Sequence, residues 1–179
     1  MRAATPLFTA ADLRARIEAS PDGAGKEPGG AAEPPEWGDH RLNPDLVAEM
    51  LKAETREAAV LVPAVERSGE ATVILTTRTR SLRKHSGQIA FPGGAIDPED
   101  TSPEAAAMRE AFEEVALEPR FVEPLARLPR YLTTTGFHIT PVVAIVTPGF
   151  ALKPNPGEVE DVTFLQLDFL NIQLGQFLL

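Results

Sequence analysis

The spacing of apolar and polar residues changes along the first fifty residues. Over residues 9–19 apolar residues recur at helical spacing, which predicts a short helix capped near its start. Residues 20–40 are rich in proline, glycine and glutamate and show no apolar period, so we expect an irregular connector. Asn43-Pro44 then opens a second predicted helix with its own apolar stripe.

Short apolar and β-branched runs follow, and they predict a sheet. The first two runs are joined across four turn-forming residues, which predicts a hairpin. One later run, over residues 139–146, is almost continuously apolar and suits the interior of the sheet. The predicted strands cover residues 58–65, 71–77, 89–91, 121–128, 139–146 and 163–167.

A further helix is predicted over residues 103–117, with Thr101 or Ser102 as its N-cap and Pro103 in its first turn. At about 100° per residue, its apolar and acidic positions separate onto two sides. The predicted packing side carries Met108, Ala111, Phe112 and Val115. The predicted opposite side carries Glu110, Glu113 and Glu114.

Three neighbouring carboxylates repel one another and oppose the helix dipole in the last turn. A bound cation would reverse both effects, and oxygen ligands suit Mg²⁺ or Mn²⁺ bridging to substrate phosphates. A solvated acidic face explains the same three residues equally well. The pair Gly93-Gly94 just before the helix favours a site, since it allows close approach of the backbone.

The glycine pair, the acidic loop and the acidic helix together resemble the Nudix box. The box glutamate of the loop corresponds to Glu99, Asp100 or Asp97, because the spacing from Gly94 to Arg109 exceeds that of the general box by one residue. The terminal glycine of the box is replaced by Ala116, which removes no ligand. The residues that carry the pattern are Gly94, Arg109, Glu110, Glu113, Glu114, Ala116 and Leu117.

The run upstream of the box, Leu-Arg-x-His-x-Gly-Gln-Ile-x-Phe-Pro-Gly-Gly over residues 82–94, resembles the signature of the coenzyme A diphosphatase branch of that superfamily. The resemblance implies an α/β fold, a Nudix-type α/β/α sandwich with a mixed sheet between helices, plus an N-terminal helical extension. Sequence pattern alone supports a domain of mixed α and β structure. We expect residues 1–42 to form the extension and residues 43–179 a Nudix hydrolase domain that is short at its C-terminus.

The resemblance also implies a reaction and assigns residues to it. Coenzyme A or an acyl derivative would be hydrolysed to 4′-phosphopantetheine and adenosine 3′,5′-bisphosphate with Mg²⁺ or Mn²⁺ as cofactor. Glu110, Glu113 and Glu114 would hold the metal. Glu110 is the first candidate for the general base, Glu113 shares the catalytic group, and Arg109 would orient a carboxylate or reach the loop acid.

A basic cluster precedes the box, and such a concentration stands out in an acidic chain. Arginine and lysine match phosphate oxygens, although a solvated strand end is the alternative. Residues 129–138 form a polar loop that is either a substrate contact or plain surface. The predicted substrate-binding residues are Arg78, Arg83, Lys84, His85, Gln88, Gly93 and Gly94.

Two further acids lie late in the chain. Glu158 or Glu160 could supply another metal ligand or the base, and an exposed acidic turn explains them equally well. Two other functions stay open beside the coenzyme A reaction. The first is hydrolysis of another nucleoside diphosphate derivative, such as ADP-ribose or a dinucleotide. The second is a non-catalytic module that binds a nucleotide, which the intact glutamates disfavour.

Composition limits the kinds of molecule that the protein is expected to bind. With 26 acidic against 17 basic residues and a net charge of −9, non-specific nucleic-acid binding is not expected, whereas a small-molecule substrate is. No cysteine occurs, which excludes disulfides and thiolate chemistry. Since neither a signal-peptide core nor an apolar run of bilayer length is present, we expect a cytoplasmic protein without membrane contact, and a homodimer is a possible assembly.

Overall fold

The computed structural model describes residues 8–19, 37–39, 55–79 and 87–167. The predicted helix at Asn43-Pro44 lies outside these ranges. The elements in chain order are helix α1 (Ala10–Ala19), strands β1 (Trp37–Gly38), β2 (Arg56–Arg67), β3 (Glu70–Arg78), β4 (Ile89–Ala90) and β5 (Gly93–Ala95), helix α2 (Pro103–Val115), a 3-10 turn (Pro119–Phe121), and strands β6 (Val122–Arg127), β7 (Tyr131–Leu132), β8 (Phe137–Val146) and β9 (Val159–Gln166).

All nine strands described belong to one mixed sheet. Strand β2 runs parallel to β8, from Arg56 opposite Phe137 to Val65 opposite Val146. The pair of β1 and β7 is also parallel, whereas β3, β5, β6 and β9 pair antiparallel with their neighbours. The long apolar run predicted for the sheet interior is β8, and five consecutive residues of it are buried.

The predicted hairpin of β2 and β3 is confirmed, and it opens away from its turn. Ser68 and Gly69 form the turn with φ of 55° and 80°, the left-handed values that a two-residue hairpin loop needs. Beyond the turn, residues 88–95 enter between the two strands. There β4 pairs with β3 and β5 pairs with β2, so the segment that precedes α2 lies inside the sheet.

The two helices described cover opposite faces of this sheet. Three alanines and Val115 of α2 pack with Leu61, Ile74 and Val142 in one buried cluster. Leu13 and Ile17 of α1 pack with Val73 and other residues in a second cluster. The predicted α/β/α sandwich with a mixed sheet and an N-terminal helix is therefore confirmed.

Helix α2 begins at Pro103, as the sequence predicts, and ends at Val115, two residues before the predicted end. The Ser102 hydroxyl accepts the N–H of Ala105, which satisfies one free donor of the first turn. At the other end Ala116 adopts the left-handed conformation, with φ of 57°, and its N–H donates to the carbonyl of Phe112. This conformation at Ala116 stops the helix, so Leu117 lies beyond it.

The predicted division of α2 into an apolar and an acidic side is wrong at two positions. Phe112 is 50% exposed, while Glu114 is only 3% exposed. The residues that face the sheet are Ala107, Ala111 and Val115, and the helical rotation places Glu114 on the same side. Small alanines let the helix lie close to the sheet, and a phenylalanine would hold it away.

Two loop predictions also need correction. Residues 129–138 contain strand β7, which forms a hairpin with β8 across residues 133–136, so the segment is not one continuous loop. Strand β9 begins at Val159, four residues before the predicted start, which places Glu160 in the strand. Neither of the helices described has the length and apolar character needed to cross a membrane.

Candidate active site

The glycine pair lies under the acidic side chains of α2. A Cβ atom on Gly94 would come within 2.6 Å of the Glu110 carboxyl carbon, so this carboxylate rests directly on the glycine backbone. A Cβ atom on Gly93 would come within 2.4 Å of the carbonyl oxygen of Ala59 in strand β2. Gly93 therefore lets β5 fit into the opened hairpin, and Gly94 makes room for Glu110.

Arg109 connects the acidic loop to the helix. Its Nε and Nη2 atoms donate to the two carboxylate oxygens of Asp100 at 3.1 and 2.9 Å. Nη1 donates to Glu110 at 3.0 Å and to Glu113 at 3.1 Å. Nη2 also donates to the carbonyl oxygen of Ala95 at 3.0 Å. The guanidinium thus holds the loop, the glycine strand and two helix carboxylates together.

The same contacts distinguish the candidate loop acids. Asp100 accepts hydrogen bonds from both Nε and Nη2 of Arg109, whereas Asp97 Oδ2 lies 3.5 Å from Nη2 and its side chain is more exposed. This arrangement lowers the pKa of Asp100 through the Arg109 hydrogen bonds. Asp100 also accepts the N–H of Asp97 at 2.8 Å, which closes the loop. Of Asp97 and Asp100, Asp100 is therefore the acid that contacts Arg109 more closely.

Glu114 is a buried carboxylate at the edge of the core. Burial raises its pKa to about 7, against the opposing effect of Arg78 and the backbone N–H of Gly93. The Arg78 Nη1 atom lies 3.8 Å from Glu114 Oε1. Arg78 Nε and Glu114 Oε2 are buried and have no hydrogen-bond partner in the part of the chain described. Such unpaired groups are costly unless a ligand meets them.

Burial also raises the pKa of Glu110, and the charges of Glu113 and Glu158 add to this shift. Glu158 likewise raises the pKa of Glu114. Glu158 therefore adds to the negative potential at the helix carboxylates from a different part of the chain. Glu160, the other late acid considered, lies exposed on β9. Of the two late acids, the structure brings Glu158 to this site.

The loop that carries Glu158 is attached to the end of α2. Lys153 N–H donates to the carbonyl of Val115 and Asn155 N–H to that of Glu114, both at 2.8 Å. Helix ends leave such carbonyls without an intrahelical partner, so the loop satisfies them. Asn155 was not singled out in the sequence, although Asn-Pro-Gly is a turn signal that marks its position.

The chemistry of the donors fits a hard divalent cation. Glu110, Glu114 and Glu158 repel one another, and Glu114 keeps an unpaired oxygen, so a cation would relieve both costs. No set of three or more acidic, histidine or cysteine side chains is already arranged around an ion position within the described ranges. Glu110 and Glu113 are both hydrogen-bonded to Arg109, so ion binding there would require these contacts to rearrange.

The predicted phosphate-binding residues fall into two groups. Arg78, Gln88, Gly93 and Gly94 are described, and the Arg78 N–H donates to the carbonyl of Gln88 at 2.9 Å. This contact joins the end of β3 to the segment entering β4. Arg83, Lys84 and His85 lie outside the described residues.

The predicted contact loop is held by the N-terminal segment. Asp39 accepts hydrogen bonds from the Tyr131 hydroxyl at 2.5 Å and from the Thr134 N–H at 2.6 Å. Burial, followed by the Asp39 hydrogen bond, raises the pKa of Tyr131 to about 12. The role of this loop in substrate binding stays a prediction.

Sequence comparison defines the class of protein. The family model of the NUDIX domain matches residues 55–177. The chain therefore belongs to the Nudix family and is a hydrolase that acts on a phosphoric anhydride. Proteins named Uncharacterized Nudix hydrolase NudL from Salmonella paratyphi B (strain ATCC BAA-1250 / SPB7) and Salmonella newport (strain SL254) are each 45% identical over 136 residues, which cover 76% of this chain and 69% of theirs.

Solved structures support the fold. A Nudix hydrolase from M. smegmatis, RenU, matches with a TM-score of 0.51 and 24% identity over 65% of this chain and 73% of its own. The NUDIX domain of Shewanella oneidensis NrtR, solved with ADP ribose, matches with a TM-score of 0.51 and 23% identity over 70% of this chain and 87% of its own. At this identity the similarity establishes the Nudix fold.

Proposed function

We propose that this chain hydrolyses the diphosphate bond of coenzyme A or an acyl-CoA, using Mg²⁺ or Mn²⁺, to 4′-phosphopantetheine and adenosine 3′,5′-bisphosphate. The run over residues 82–94 is the observation that supports coenzyme A as the substrate, because it resembles the coenzyme A diphosphatase signature. The described part of this run enters the sheet beside the buried Glu114 and ends on the glycines below Glu110.

We assign metal binding to Glu110, Glu113 and Glu114, with Glu158 as a further carboxylate from the late loop. A bound Mg²⁺ or Mn²⁺ would neutralise charge on the diphosphate oxygens and acidify the attacking water. Glu110 is the first candidate for the base, and its carboxylate lies on the backbone of Gly94, where the upstream run ends. Glu113 lies one helical turn away and belongs to the same catalytic group.

Arg109 has an orienting role in this proposal. Asp100 holds the guanidinium beside Glu110 and Glu113, so Arg109 stays next to these carboxylates while their own contacts with it rearrange around an ion. Preorganised side chains lower the cost of reaching the reactive geometry. The partial burial of the guanidinium makes these charge-assisted hydrogen bonds stronger than those of an exposed ion pair.

Substrate phosphates would be bound by the basic and glycine residues that precede the helix. Among the described residues the buried Nε of Arg78 has no hydrogen-bond partner, so it could donate to an anionic oxygen beside Glu114. Gly93 and Gly94 allow the backbone to approach a ligand closely. The remaining assigned residues are Arg83, Lys84, His85 and Gln88.

The test is a comparison of substrates with the purified protein in Mg²⁺ or Mn²⁺. We expect kcat/KM for coenzyme A or acetyl-CoA to exceed that for ADP-ribose and for a dinucleotide by at least about tenfold, since hydrolysis of the latter substrates would not explain the upstream run. A preference for ADP-ribose would instead support hydrolysis of another nucleoside diphosphate derivative. Binding of nucleotides without turnover would support a non-catalytic module.

A further inference from the structure

Asn155 lies between the end of α2 and Glu158. Its backbone N–H donates to the carbonyl of Glu114 at 2.8 Å, and its own carbonyl accepts the N–H of Glu158 at 3.0 Å and that of Val159 at 2.8 Å. The backbone of this one residue thus connects the buried carboxylate of the helix with the carboxylate of the loop.

The Asn155 side chain uses its two polar ends differently. Oδ1 accepts the N–H of Gly157 at 3.1 Å, which forms a turn closed by the side chain. Nδ2 donates to Glu158 Oε1 at 3.3 Å. The amide places its acceptor and its donor on two separate atoms, whereas an ionised carboxylate has no donor and a serine hydroxyl has both functions on one atom closer to the backbone.

Electrostatics explain why Glu158 needs such a partner. Its charge raises the pKa of both Glu110 and Glu114, so the three carboxylates repel one another. Without a restraint, repulsion would favour rotamers that turn Glu158 toward water. The Glu158 backbone is held on both sides, because its carbonyl also accepts the N–H of Thr79 at 2.9 Å. The Nδ2 hydrogen bond then restrains the side chain.

We propose that Asn155 is a positioning residue that holds the Glu158 carboxylate at the metal side of the site. Asn155 acts through Glu158 and needs no contact with substrate. This inference rests on the proposed function, in which Glu158 contributes to the binding of the divalent ion. Partners that orient a metal ligand are typically worth about 10- to 100-fold in metal affinity or activity.

A double-mutant cycle on the full chain tests this role. Asn155→Ser keeps a hydroxyl that can accept the Gly157 N–H but removes the longer Nδ2 arm that reaches Glu158, and Glu158→Gln removes the carboxylate. Both single variants and the double variant are assayed for kcat and KM with coenzyme A and Mg²⁺. Mn²⁺ affinity is measured separately from the electron paramagnetic resonance signal of free Mn²⁺. Glu160→Gln is the matched control on the neighbouring strand.

We expect Asn155→Ser to lower kcat about tenfold and to weaken Mn²⁺ binding at least about threefold, with KM changed less than about twofold. In the Glu158→Gln background the same substitution should change kcat and Mn²⁺ affinity less than about twofold. Glu160→Gln should match the wild-type protein. Asn155→Asp, which retains the acceptor for Gly157 and places a like charge beside Glu158, should lose at least as much activity as Asn155→Ser.

Equal effects of Asn155→Ser in both backgrounds would overturn the inference, because they would show a structural role independent of Glu158. Full activity and full Mn²⁺ affinity of both Asn155 variants would overturn it as well. If the wild-type protein hydrolyses no diphosphate, the proposed function fails, and the Mn²⁺ cycle still decides the role of Asn155. Coupled Mn²⁺ affinities would support positioning, and additive affinities or absent Mn²⁺ binding would contradict it.

Discussion

Replacing Gly94 with alanine should separate activity from stability. The added Cβ would lie 2.6 Å from the Glu110 carboxyl carbon and from Oε1, where ordinary contact begins near 3.4 Å. The carboxylate must therefore move by about 0.8 Å, and it can do so because it is the end of a flexible side chain. Since a misplacement of about 1 Å can cost about 100-fold in rate, we expect kcat to fall by that order.

The assay is metal-dependent hydrolysis of coenzyme A, with the melting temperature of the same preparation measured alongside. Gly94→Ala should melt within about 3 °C of the wild-type protein, because only a side chain has to move. Activity within twofold of wild type would refute the idea that the position of Glu110 on Gly94 matters for catalysis.

Gly93→Ala is the matched control, one residue away. Its Cβ would lie 2.4 Å from the Ala59 carbonyl oxygen and 2.6 Å from the Val60 Cα, and neither backbone atom can move without opening the sheet. We expect a loss of about 3 kcal/mol or more, which lowers the melting temperature by roughly 6–12 °C for a domain of this size. Similar melting of the two variants would contradict this assignment of their contacts.

Three other substitutions give distinct results. Arg109→Lys should lower kcat/KM about 10- to 100-fold and stability by about 1–3 kcal/mol, because lysine cannot reproduce the two-pronged contact with Asp100; kinetics and thermal melting measure both. Burial raises the pKa of Glu114 from 4.5 to about 7, so the wild-type fold loses stability as pH rises between these two values. Glutamine does not titrate, so Glu114→Gln should be more stable than the metal-free wild type by an amount that grows between pH 5 and pH 8, up to about 3 kcal/mol. Ala116→Gly should raise the melting temperature by about 1–4 °C, because glycine adopts the left-handed conformation at φ of 57° without steric cost.

Each of these three predictions has an outcome that would contradict it. Arg109→Lys with unchanged kinetics would show that a single positive charge is sufficient. A stability difference between wild type and Glu114→Gln that stays constant with pH would show that Glu114 is ionised in the metal-free fold. A lower melting temperature for Ala116→Gly would show that the flexibility glycine adds to the unfolded chain outweighs the relief of strain.

Much of the fold could be predicted from the sequence because its signals are local. The Thr9 hydroxyl accepts the N–H of Asp12 and so caps α1, as Ser102 caps α2; these caps and the two-residue turn of the hairpin depend on residues within a few positions of each other. The short strand β7 was missed because two residues carry no periodicity, and its pairing with β8 is set by the turn between them.

The candidate site was harder to predict where it depends on packing. Helical spacing placed Glu114 on the exposed side with Glu110 and Glu113, and it could not show that Glu114 faces the sheet, because that depends on how closely the alanines of α2 pack against the sheet. The contact of Arg109 with Asp100 was one of three alternatives in the sequence, and the loop conformation selects it. The role of Asn155 depends on a loop that folds back onto the helix end, which no local pattern reveals.

The carboxylates above the glycine pair should support metal-dependent cleavage of a diphosphate. The most direct measurement is mass spectrometry of the products formed from coenzyme A in ¹⁸O-labelled water with Mg²⁺, by the wild-type protein and by Glu114→Gln. We predict adenosine 3′,5′-bisphosphate and 4′-phosphopantetheine, with one ¹⁸O atom incorporated per cleavage, and loss of both products with a chelator or in the folded variant. Equal product formation by Glu114→Gln, or turnover that persists without metal, would contradict the account.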